Sequence, residues 1–170
     1  MAYRRIKTLT TAGLVLAAAV ITGAQRRVPG QRPDNTVPVA VTLKAGAEPY
    51  NFNGKATCSH APVASIYDLR AERWTVDQSD GSRSMTLALW HPASGSDLVS
   101  LSLNIGNKRY SVSTIKVGDK GTVEVSGKIT LAREGPGGTL TVDATAANGA
   151  KITGTVKCDA FTPAIAEGGD

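Results

Sequence analysis

Little in this 170-residue chain can carry reactive chemistry. It has two cysteines and two histidines, and aromatic residues make up 5% of it. A zinc site takes three or four closely spaced ligands. His60 and His91 lie 31 positions apart and read as loop-edge residues, so no metal is expected. Neither a Gly-x-Ser-x-Gly pentapeptide nor a glycine-rich phosphate loop ahead of a helix is present. Gly81–Ser84 and Ser94–Asp97 read as tight turns, and Asp68, Glu72, Asp77 and Asp80 as solvated charges. The expectation is a protein that is not an enzyme and needs no cofactor.

Other absences are as informative. Beyond the first two dozen residues, no segment of 11 or more keeps a helical stripe, which argues against an α-rich fold. The formal charge of +5 is also concentrated at one end. Arg4, Arg5 and Lys7 open the chain; without them sixteen bases face fourteen acids, net +2. Three more bases, Arg26, Arg27 and Arg32, follow closely, and the remainder is near neutral. With no basic stripe, nucleic acid is not an expected partner.

What is present begins with a leader. The bases at 4, 5 and 7 precede an apolar run of 13 residues, Leu9 to Ile21, and then Thr22-Gly23-Ala24. A basic head, an apolar middle and small residues before the break make a secretory signal peptide over 1–24. The run is shorter than the roughly 20 residues that span a bilayer, so no transmembrane segment is expected. Arg4-Arg5 leaves both Sec and twin-arginine export open. Residues 25–37, rich in Pro and Arg, read as a flexible linker. It is a solvated arm or a contact to an anionic envelope surface. A single β domain is expected over 38–162 and a disordered tail over 163–170.

Period-two alternation fills the domain. Met85-Leu87-Leu89, Val99-Leu101-Leu103-Ile105 and Tyr110-Val112-Thr114 each interleave with small polar residues. Such strands have one dry and one wet face. Gly106-Asn107, Gly118–Gly121 and Asn148-Gly149 mark turns, the last a strong hairpin signal because both residues tolerate positive φ. Gly135–Gly138 reads as a looser loop, and Pro62 to Arg73 as the least regular stretch, holding one short helix or an extended crossing. Eight to ten strands are expected. The fold class is all-β, an antiparallel β-sandwich of immunoglobulin-like type or a small β-barrel.

Cys58 and Cys158 are the only cysteines, and an even pair in an exported chain reads as one disulfide. Each closes a strand with a glycine four residues earlier, Gly54 and Gly154. The expected staple joins the first and last long strands. The aromatics are scarce, yet Tyr67, Trp74 and Trp90 fall close to Arg70 and Arg73. Aromatics beside arginine commonly anchor a binding patch. These five are the candidate ligand or partner residues; the competing reading places both tryptophans in the core.

Around both cysteines the chain resembles the mycobacterial 19 kDa lipoprotein antigen family. The matching stretches are Asn51-Phe52-Asn53-Gly54-Lys55-Ala56-Thr57-Cys58-Ser59 and Lys151-Ile152-Thr153-Gly154-Thr155-Val156-Lys157-Cys158. The resemblance implies a small, stapled, surface-exposed β-sandwich of an actinobacterial envelope. The family's lipidated cysteine at the mature N-terminus has no counterpart here. The functional expectation is a secreted or cell-wall-associated binding or structural module. Its partner would be another envelope protein, a host protein or an apolar small molecule. The alternatives are a carrier of a lipid or other apolar ligand, for which small inward residues such as Gly54 and Gly154 leave room, and an extracytoplasmic enzyme of unrecognised type.

Overall fold

A computed structural model describes residues 35–115 and 126–164. The leader, most of the basic arm, the Gly118–Gly121 turn and the chain end from 165 lie outside the described residues. Ten strands run in order: β1 Thr36–Ala45, β2 Glu48–Ile66, β3 Leu69–Ser79, β4 Arg83–Pro92, β5 Leu98–Ile105, β6 Lys108–Ser113, β7 Gly127–Glu134, β8 Gly137–Thr145, β9 Lys151–Cys158 and β10 Thr162–Pro163. None of the described residues is helical, and so no helix there is long and apolar enough to cross a membrane.

All ten strands belong to one sheet, in the order β6-β5-β4-β3-β2-β1-β9-β8-β7, with β10 added to β2. Every pairing is antiparallel except that of β10. The sheet curls into a half-barrel, and a division into two stacked immunoglobulin-like sheets is not seen in this order. One end strand, β6, reaches the β8–β9 connection, where Ala147 N–H donates to Ser111 O at 2.9 Å. Alternation decides which side chains fill the concave side. Val39, Val41 and Leu43 of β1, Leu87 and Leu89 of β4, Leu101 and Leu103 of β5, and Leu140 and Val142 of β8 all enter one buried core.

The disulfide forms between Cys58 and Cys158, but these strands are β2 and β9, not the first and last. β1 inserts between them in the sheet. Strands with a third between them sit roughly 9.5 Å apart. Here the two Cα atoms are 6.4 Å apart. The reason lies in the register: β1 stops pairing with β2 at Thr36–Thr57, so Cys58 stands just past its end. The chain then crosses over that end. Asp159 N–H donates to Pro38 O at 3.1 Å, Thr162 Oγ1 to Cys58 O at 2.9 Å, and Ala164 N–H to His60 O at 2.9 Å.

Two connections differ from expectation. Pro62 to Arg73 holds no helix; β2 continues to Ile66 and returns as β3 through the two-residue turn Tyr67-Asp68. One extra residue between Ala61 and Ala64 makes a bulge in β2. Gly135-Pro136 is likewise a tight turn, and Gly137 and Gly138 belong to β8. Gly137 needs its lack of a side chain, because a Cβ there would meet Cys158 O at 2.2 Å.

Candidate functional site

At the end of the half-barrel nearest the disulfide, β3 and β4 face β7 across a cleft of about 550 Å³. Volumes of this order are usual for small-molecule sites. Trp74, Leu89 and Leu131 supply its apolar surface. Glu72, His91 and Asp97 line one side, and Lys128, Thr130 and Arg133 of β7 the other.

Register brings the first group together. Glu72 of β3 lies directly opposite His91 of β4, and Trp74 opposite Leu89. On the other flank of β3, His60 of β2 is opposite Trp74. Their rings stack, with centroids 4.7 Å apart and planes at 5°. His60 Nε2 lies 3.1 Å from Glu72 Oε2, and His91 Nδ1 2.7 Å from Asp97 Oδ1. An ionised carboxylate only accepts, so each imidazole donates and its tautomer is set. Trp74 is 7% exposed, and its indole Nε1 has no hydrogen-bond partner. Arg73 Nε and Gln78 Nε2 are buried without a partner in the same way.

The five candidate residues do not form one patch. Trp74 points into the concave side and packs in the core. Trp90 is half-buried beside Arg73 on the opposite face, since alternation turns it away from Leu89. Tyr67 is 50% exposed at the β2–β3 turn, and Arg70 is exposed just after it. Only Trp74 lines the larger cleft; Arg70 lines a neighbouring hollow of about 260 Å³ with Pro62, Ala71 and Pro92. His60 lies within β2 rather than at a loop edge, while His91 stands at the end of β4 beside the β4–β5 connection, as a loop-edge residue would. Glu72, read as a solvated charge, keeps 46% of its side chain exposed and also accepts from His60. Nothing local in the sequence marks Lys128, Leu131 and Arg133, because the curl of the sheet brings β7 to the cleft.

Chemically the cleft offers apolar contact, the His91–Asp97 pair, the carboxylate of Glu72 and two cations. Such a pair also serves acid–base chemistry. The hydroxyl lining the cleft is that of Thr130. Among the described residues, no group of three His, Cys, Asp or Glu could hold a metal ion. Elsewhere two half-buried glycines leave little space. A Cβ at Gly54 would meet the Phe52 ring at 2.9 Å, and one at Gly154 would meet Thr42 O at 2.0 Å. No protein-family model matches the chain, and no curated protein or solved structure matches it.

Proposed function

We propose that this protein is a non-enzymatic binding module of the extracytoplasmic space, secreted or associated with the cell wall, and that its site is the cleft between β3–β4 and β7. The observation that carries this reading is the cleft itself: an apolar surface of Trp74, Leu89 and Leu131 between charged walls, in a domain whose core is packed. Small-molecule sites are built in this way, with apolar lining and a few placed polar groups. The Cys58–Cys158 disulfide is compatible with an oxidising compartment. The likeness of the two cysteine strands to the mycobacterial 19 kDa lipoprotein antigens supports an envelope setting. The same apolar surface also suits the carrier reading, in which the ligand is transported rather than only bound.

Native mass spectrometry of the protein from its natural source, before and after organic extraction, tests the reading. The expected result is a small adduct that extraction removes and that a Thr130→Trp variant, with the cleft filled, does not carry. A bare mass before extraction overturns it. An adduct retained by Thr130→Trp overturns the placement of the site.

A further inference from the structure

The charges around the cleft are unequally committed. Glu72 and Asp97 each already accept from a histidine, at 3.1 and 2.7 Å. Lys128 and Arg133 on the facing strand have no ion-pair partner among the described residues. Asp143, directly opposite Lys128, pairs with Lys151 at 3.3 Å, and Glu134, next to Arg133, with Lys157 at 3.8 Å. Two cations outside any ion pair among the described residues therefore border an apolar surface. Arginine adds a planar fork of donors that matches the oxygens of a carboxylate or phosphate.

We infer that the ligand of this cleft is an amphipathic anion. Its oxygen-bearing head lies against the β7 wall that Lys128 and Arg133 line, and its apolar body covers Trp74, Leu89 and Leu131. The inference rests on the cleft being the binding site. It makes β7 the strand that selects the head group and β3–β4 the surface that takes the body.

Probes sharing one ten-carbon chain separate the terms: decanoate, decyl phosphate, decanol and decyltrimethylammonium. Each is titrated into the oxidised, ¹⁵N-labelled full chain, and the Trp74 indole N–H signal reports occupancy of the cleft. The expected result is that decanoate, decyl phosphate or both shift that signal with roughly tenfold or more tighter binding than decanol, with the cation weakest. Whichever anion binds more tightly identifies the head group. The Lys128→Gln/Arg133→Gln variant should bring the anions to the level of decanol and leave decanol unchanged. Lys44→Gln/Arg109→Gln removes two exposed charges elsewhere and should change nothing. Decanol or the cation binding as tightly as the anions, with the Trp74 signal shifted, overturns the anion inference and leaves the cleft reading standing. An equal loss in both charge variants also overturns it, because a general field would then explain the preference. No shift of the Trp74 signal by any probe overturns the cleft reading itself.

Discussion

Gly154 packs against the backbone of Thr42 with no room for a side chain. A Cβ at 154 would stand 2.0 Å from Thr42 O and 2.9 Å from Leu43 Cα. Its φ is +137°, a region that L side chains rarely adopt. Both effects fall on β9, in the middle of the sheet, where Gly154 pairs with Leu43 on one side and Val142 on the other. Gly154→Ala should cost about 3 kcal/mol or more, through strain and a backbone clash together. Gly54 provides the contrast. Its Cβ would meet only the Phe52 ring, at 2.9 Å and without positive φ, so Gly54→Ala should cost about 1 kcal/mol as the ring adjusts. Urea unfolding of the two variants checks the order; equal losses would contradict it.

The disulfide should matter to the cleft as well as to stability. The sequence separation of Cys58 and Cys158 is 100. Closing so long a loop stabilises by at most about 4–5 kcal/mol in the chain-entropy account. The bond also ties β2 to β9 two residues before His60, which stacks on Trp74. Reduction, or the Cys58→Ser/Cys158→Ser variant, is expected to lower Tm by roughly ten degrees or more for a domain of this size. It should also shift the Trp74 indole signal. Identical melting of oxidised and reduced protein would count against the staple.

The strands were legible where local pattern decides them. Met85-Leu87-Leu89 and Val99-Leu101-Leu103 alternate cleanly and are buried as the alternation requires. Asn148-Gly149 lies in the five-residue β8–β9 connection, where Gly149 has φ +81° and Asn148 keeps negative φ, so the turn is found but not as a two-residue hairpin. The insertion of β1 between β2 and β9 was not legible, since strand order depends on contacts far apart in sequence. The cleft was hidden for the same reason. Glu72 meets His91 only through the β3–β4 register, and Lys128 and Arg133 reach the cleft only through the curl. Proximity in sequence grouped Tyr67, Arg70, Arg73, Trp74 and Trp90, but strand alternation divides them between faces.

Tyr67-Asp68 escaped notice as a turn for a specific reason. Both residues have positive φ, 52° and 60°, in a two-residue connection. Hairpin turns of that kind favour Asn-Gly, and a tyrosine there is a poor fit. The left-handed region costs a side-chain-bearing residue roughly 1–2 kcal/mol. Asp68→Gly should therefore stabilise the protein by about 1 kcal/mol, the relief exceeding glycine's added entropy in the unfolded chain. A rise in Tm checks this; a fall would mean that the Asp68 side chain contributes more than the strain it carries.

At the opposite end of the half-barrel, Tyr50 is expected to make the fold less stable at alkaline pH. Its side chain is 1% exposed, and its hydroxyl donates to Gln78 Oε1. Burial is the main reason that its pKa is pushed up from 10.0 to about 12; the nearby Asp80 charge adds to the rise and Arg83 opposes it. The Arg83 guanidinium lies 5.9 Å from the ring centroid and pairs with Asp80 at 3.1 Å. Between the unfolded value near 10 and the folded value of about 12, the native state keeps a proton that the unfolded chain releases. Its contribution to stability is therefore complete below pH 10 and is lost as pH rises toward 12, with a slope of up to about 1.4 kcal/mol per pH unit. Tyr50→Phe should remove this part of the slope. It should also cost about 1–2 kcal/mol at neutral pH, because Gln78, 5% exposed and with Nε2 already unpartnered, would lose its remaining donor. Unfolding measured from pH 8 to 12 in both proteins decides it; parallel curves would show that Tyr50 does not cause this loss.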